Sequence, residues 1–263
     1  MTFSDFISYG FIGHYINNDL TDNSSLALIL VIASCLLAAV ASYFLGSLNF
    51  AIIISGRTYK QDIRNFGSNN AGMTNMMRTY GRKAAGLTFL GDMLKAVVSC
   101  LIGYALFGYV GAYVAGTACV IGHMYPVYYK FKGGKGVVTA AVTMCMCNPY
   151  VFLTLAVIYA IIVGFTRYIS LGAIMCMLMY PFVLHAWDVW LLPAILVNSE
   201  PVLGSPGVPF ALLIAVLVIY KHKENFKRLR QGKESKFVFK KSVKATDVIN
   251  KDGAADEQEG TDK

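Results

Sequence analysis

Positive charge is missing from the first 56 residues of this chain, and charge of either sign is scarce throughout, at 14% against 56% hydrophobic residues. A soluble domain carries charge on about a quarter of its residues, so that class is excluded. The bare N-terminal stretch also lacks the basic region that opens a secretory signal. Cysteine offers neither a disulfide framework nor a metal site. All six (Cys35, Cys100, Cys119, Cys145, Cys147, Cys176) fall in apolar runs, and Cys145-x-Cys147 has no second pair or nearby His. No metal and no cofactor are expected.

What is present is a set of long apolar runs, at Leu26–Leu45, Ala84–Phe107, Val110–Tyr129, Val137–Phe165, Tyr168–Trp187 and Val208–Tyr220. The chain reads as an all-α integral membrane protein. Its 23 Lys and Arg residues fall in four places: Arg57–Lys95, Lys130–Lys135, Arg167 and the tail from Lys221. If positive loops face the cytoplasm, the N-terminus lies outside, the C-terminus inside, and parity gives about seven transmembrane helices. The run Val137–Phe165 must then cross twice, with a turn at Asn148-Pro149. Three regions follow: an external segment 1–25, a membrane domain 26–237, and a polar cytoplasmic tail 238–263 expected to be disordered. The formal charge of +8 sits on an inner surface facing membrane lipids and anionic substrates, and nucleic acid is not needed to explain it.

Polar motifs cluster at that inner face. Lys130, Lys132 and Lys135 interleave with Gly133, Gly134 and Gly136 ahead of an apolar run, a composition suited to cradling an anion, although a basic turn that only orients a hairpin is the plainer reading. It is no Walker loop, because Tyr129 and Gly136 stand where that motif needs Gly and Ser or Thr. Earlier, Asp62–Gly81 mixes Gly67, Ser68, Asn69, Asn70, Gly72, Thr74 and Asn75 between Arg64 and Arg78. Small donors among glycines suit phosphate oxygens. Asp92 and Lys95 share a helical face inside an apolar run, where mutual neutralisation and a site-facing role both stand open. His123 is either a structural imidazole or a proton carrier. His222 and Asn225 share a face of the helix that leaves the membrane, and there a snorkelling helix is the plain alternative. His14 and Asp19 form an H-x-x-x-x-D pair on the opposite side from the cations; it reads as an accidental match in an exposed turn.

Taken in order, these stretches resemble one family, the bacterial acyl-phosphate:glycerol-3-phosphate acyltransferases, often called PlsY. The resemblance rests on GSLNFA (Gly46–Ala51), on Asp62–Gly81 with Asn69 and Met73 in place of Gly and Ala, on Gly122–Gly136, on TRYISLG (Thr166–Gly172) and on HKEN (His222–Asn225). It implies transfer of a fatty acyl group from acyl phosphate to the 1-hydroxyl of glycerol 3-phosphate, giving lysophosphatidic acid and phosphate at the bacterial inner membrane. By the same resemblance Ser47, Arg57, Lys132, Ser170, His222 and Asn225, with Lys135 added, take glycerol 3-phosphate, and Ser47, Lys132, His222 and Asn225 form the catalytic group. Gly67, Ser68, Asn70, Gly72, Thr74 and Asn75, with Gly133, Gly134 and Gly136, would hold acyl phosphate. His123, His222 and a substrate phosphate oxygen all stand as the general base. The rival from another class is a transporter or flippase for an anionic metabolite, whose usual sign, an internal repeat, is not evident. The motifs do not address protein partners.

Overall fold

The computed structural model describes residues 3–19, 24–191 and 205–237. The proposed tail 238–263 and the middle of the outer stretch, 192–204, lie outside them. Among the described residues the chain is helical without strands: α1 (Phe3–Asp19), α2 (Ser24–Ser47), α3 (Phe50–Tyr59), α4 (Met73–Met124), α5 (Val137–Cys147), α6 (Pro149–Thr166), α7 (Ile169–Ala186), α8 (Val208–Lys221) and α9 (Lys223–Arg230). Among the described residues, four helical stretches are long and apolar enough to cross a membrane: Ser24–Tyr59, Met73–Tyr129, Pro149–Thr166 and Ile169–Leu191. Val137–Cys147 and Val208–Lys221 are apolar but shorter. The chain forms two compact units, one built from residues up to Asn49 with Asp92–Phe237, the other containing Phe50–Gly91.

In the first unit the long helix α4 doubles back on itself. Gly108 takes φ 53°, a left-handed value that interrupts the helix. Residues 103 and 111 would stand about 12 Å apart along a straight helix, yet a Cβ on Gly103 would lie 2.2 Å from the Gly111 carbonyl oxygen. Only two helical arms folded together bring those backbones so close. At the other expected break, Asn148 caps α6, its side chain accepting from the Val151 N–H at 3.2 Å, and Pro149 starts the helix where its missing N–H costs nothing. The Asn-Pro pair therefore ends α5 and begins α6.

α5 packs on α6, α6 on α7 and α7 on α8. Their shared core holds Tyr113, Met144, Val151, Met177, Tyr180, Leu184, Ile214 and Val218. The outward faces of these helices keep large apolar residues such as Phe165, Phe182 and Val216 exposed, as lipid-facing surfaces require.

One expectation is corrected here. The segment read as an exposed turn carrying His14 is the helix α1, with a kink at Gly10, φ 68°. A Cβ on Gly108 would lie 2.4 Å from the Ser8 carbonyl oxygen, so α1 seats against the tip of the α4 hairpin. Ile7 packs against the core, while Tyr9, Phe11 and Tyr15 stay exposed.

In the second unit the Asp62–Gly81 stretch is a structured loop. Asn75, almost fully buried, ties it together: its Oδ1 accepts from the Ser68 N–H at 2.9 Å, and its Nδ2 donates to the carbonyls of Ile63, Phe66 and Asn70 at 3.2, 2.9 and 3.1 Å. Asn69, which stands where the family pattern has Gly, takes φ 56°. Asn tolerates that left-handed conformation better than most other side chains do.

Candidate active site

The first unit brings together residues from four separated segments. Ser47, at the end of α2, is fully buried. Its Oγ donates to the Tyr43 carbonyl at 2.8 Å and accepts from the Val127 N–H at 3.4 Å, which ties the break after α2 to the start of the basic turn. Below that break lies Lys95. Its ammonium donates to the carbonyls of Gly46 and Leu48 at 2.9 and 2.7 Å and approaches His123 Nδ1 at 2.9 Å, with Asp92 Oδ1 at 2.8 Å as counter-charge. An ammonium has no lone pair, so Nδ1 of His123 accepts and its proton sits on Nε2. Asp92 and Lys95 thus neutralise each other, His123 accepts from the ammonium, and Lys95 caps the Gly46 and Leu48 carbonyls at the end of α2.

The basic turn folds back onto the end of α4. The N–H of Gly134 donates to the His123 carbonyl at 3.1 Å and that of Gly133 to the Met124 carbonyl at 3.3 Å. A Cβ on Gly133 would lie 2.1 Å from the His123 oxygen, so no other residue fits there. Lys221 adds a cation at the same helix end, donating to the Met124 carbonyl at 2.9 Å from above the Tyr125 ring. Lys130 and Phe131 both hold left-handed φ, 56° and 58°. Two such residues in succession are costly and mark a loop whose shape is specified. Lys132 is exposed at its outer edge.

From this turn Lys135 reaches across to Asn225 on α9, its ammonium donating to the amide oxygen. The other end of that amide donates to Glu234 Oε1 at 2.6 Å, and Ser170, at the start of α7, donates to the same oxygen at 2.8 Å. Arg228 holds Oε2 at 2.7 Å. Burial opposes ionisation of Glu234, but hydrogen bonds from Arg228, Asn225 and Ser170 outweigh it and hold the carboxyl below its ordinary range. His222, buried where α8 meets α9, donates from Nδ1 to the Val218 carbonyl at 2.8 Å. Its Nε2 is then the nitrogen with a lone pair. Burial and, next, the Lys135 charge push its pKa down to about 4, so at neutral pH the ring is uncharged and Nε2 can accept a hydrogen bond.

Of the residues expected from sequence, Lys135 and Asn225 bond directly, Ser170 joins them through Glu234, and His222 stands beside this chain. Gly133, Gly134 and Gly136 shape the turn that presents Lys132 and Lys135. Gly67, Ser68, Asn70, Gly72, Thr74 and Asn75 form the loop of the second unit, where Arg57 lies exposed on the last turn of α3. Asn75 there binds its own loop. Glu234 is the residue that sequence reasoning missed. An acid two residues after Gly232, at the end of a strongly basic helix, was the available signal. His14 bonds Asn18 one turn on, with 2.9 Å between the Asn18 amide and the His14 carbonyl, away from all of these groups in sequence and on a separate helix.

Comparison with known proteins agrees with the motifs. The sequence profile of the family described as Glycerol-3-phosphate acyltransferase matches residues 36–232. A glycerol-3-phosphate acyltransferase of Thermoanaerobacter pseudethanolicus is 40% identical over 208 residues, 79% of this chain and 98% of that protein. One of Finegoldia magna is 37% identical over 201 residues, 76% and 95% of the two chains. Among solved structures, the glycerol 3-phosphate form of PlsY, an integral membrane glycerol 3-phosphate acyltransferase, superimposes with a TM-score of 0.66 at 35% identity, covering 78% of this chain and 96% of that one. Its lysophosphatidic acid form gives 0.64 at 34% identity, with the same coverage.

Proposed function

Because the chain belongs to the glycerol-3-phosphate acyltransferase family, we propose that it acylates the 1-hydroxyl of glycerol 3-phosphate from an acyl phosphate, releasing lysophosphatidic acid and inorganic phosphate. The observation that carries this reading is the chain of contacts Lys135–Asn225–Glu234–Ser170, which collects polar groups from three distant segments at the ends of apolar helices. Hydroxyl, amide and ammonium donors grouped there suit a phosphorylated polyol.

In the proposed reaction the glycerol hydroxyl oxygen attacks the acyl carbonyl carbon, the bond from that carbon to the phosphate oxygen breaks, and phosphate departs with the electron pair. An acyl phosphate is a mixed anhydride with a good leaving group, so neither a covalent enzyme intermediate nor a metal is chemically required. Positioning two anions is the harder task. Lys132, Lys135 and Arg57 supply charge for the phosphates, with Ser47, Ser170 and Asn225 as neutral partners of glycerol 3-phosphate. The loop Gly67–Asn75 and the turn Gly133–Gly136 are assigned to acyl phosphate. His222, neutral with Nε2 open to a proton, is favoured over His123 for accepting the hydroxyl proton, since His123 Nδ1 is engaged by Lys95. A phosphate oxygen of the substrate remains the alternative acceptor. The membrane is proposed to be the bacterial inner membrane, crossed seven times with the site on the cytoplasmic side.

The test is product analysis with purified protein in detergent, supplied with glycerol 3-phosphate and either acyl phosphate or acyl-CoA. Lysophosphatidic acid from acyl phosphate alone supports the donor assignment. Product from acyl-CoA alone would replace it.

A further inference from the structure

The inward face of α9 carries Asn225 and Arg228 to the polar cluster. Its opposite face is unused by that site. On a helix advancing about 100° per residue, Lys223, Lys227 and Arg230 fall within one narrow sector, with Phe226 beside them. All four are exposed, and together with Gln231 they form one contiguous surface. Phe226 is 54% exposed despite lying among cations, and Tyr220, at the end of the apolar helix α8, is 56% exposed with the Lys223 ammonium 5.1 Å from its ring centre. The only acid on α9, Glu224, lies at the edge of this face.

We infer that this outward face of α9 is a binding site for the phosphate headgroup of an anionic phospholipid. α9 follows directly from an apolar helix, so its exposed face meets the headgroup layer at that end of α8. Three cations at i, i+4 and i+7 complement a phosphodiester, and each basic residue near an anionic bilayer surface strengthens attachment. The aromatic residues decide the source of that phosphate. An aqueous anion has no use for an exposed Phe, whereas a lipid offers acyl chain for Phe226 and an interface for the amphipathic Tyr220. The site is distinct from the polar cluster across the helix, because Asn225 and Arg228 point to Glu234 and the residues of this surface do not. The inference concerns lipid binding and does not depend on the proposed acyl transfer.

Native mass spectrometry of the full-length protein, released from micelles holding equal phosphatidylglycerol and phosphatidylcholine, tests it. The wild type is expected to retain phosphatidylglycerol preferentially. The combined variant Lys223→Gln, Lys227→Gln, Arg230→Gln should lose that preference by about tenfold or more, and Phe226→Ser should weaken it several-fold. Lys227→Gln alone should give a smaller loss in the same direction, which covers the event that the combined variant does not fold. Unchanged retention in folded variants would overturn the proposal. Complete displacement of the lipid by inorganic phosphate, with Phe226→Ser silent, would also overturn it and assign the face to a soluble anion.

Discussion

Asn225 joins two groups of opposite charge, accepting from Lys135 and donating to Glu234. Alanine at that position removes both bonds and leaves Lys135 and Glu234 without their link. If this amide and the His222 ring line the glycerol phosphate site, Asn225→Ala and His222→Ala should each lower kcat/KM for glycerol 3-phosphate by about tenfold or more, about 1.4 kcal/mol per factor of ten. Wild-type kinetics in both would return α9 to a merely structural role. Lys132→Ala and Arg57→Ala should lose most activity while folded, since a charge-assisted contact contributes about 1.5–3 kcal/mol. The His222 ring also predicts a pH effect. Its pKa is about 4 when folded and ordinarily 6.5. Between those values the unfolded chain binds the extra proton, so stability should be level above 6.5 and decline as pH falls toward 4. Thermal unfolding in detergent should show this decline, reduced in His222→Gln; an equal decline in both would contradict it. Ser170, His222 and Asn225 were legible because they stand in motifs. Glu234 was not, because its role arises only when the chain after α9 turns back toward α7, and no local pattern encodes that return.

At the scale of elements, the breaks matter more than the spans. Asn148-Pro149 was legible as a helix boundary because cap and proline act locally. The paired runs either side of Gly108 were legible too, but the close approach of Gly103 to Gly111 depends on both arms and shows only in three dimensions. A side chain at Gly103 must push the arms apart. Gly103→Val should therefore destabilise the protein by about 1–3 kcal/mol, read as a lower unfolding midpoint in detergent, and an unchanged midpoint would argue against the hairpin packing. α1 escaped the sequence reading because its polar and acidic residues leave no clear apolar face, and its seat rests on the close backbone approach of Gly10 and Gly108, which shows only in three dimensions.

For the whole molecule, the relatives are covered over 95–98% of their length, while the family profile spans only residues 36–232 here. The ends of this chain therefore extend beyond the shared region. Truncation after Val238 should leave activity unchanged. If the proposed seven-helix topology holds, cysteine tags at Asn18 and Gly253 should label from opposite sides of the membrane; labelling from one side would contradict it. The central claim, acyl transfer at the Lys135–Asn225–Glu234–Ser170 cluster, is tested most directly by phosphate release from acyl phosphate by the purified protein with and without glycerol 3-phosphate. Release only when glycerol 3-phosphate is present, and lost in Asn225→Ala, is the predicted result. Release at the same rate without glycerol 3-phosphate, or no release with it while liposomes show flux of the anion, would contradict the account.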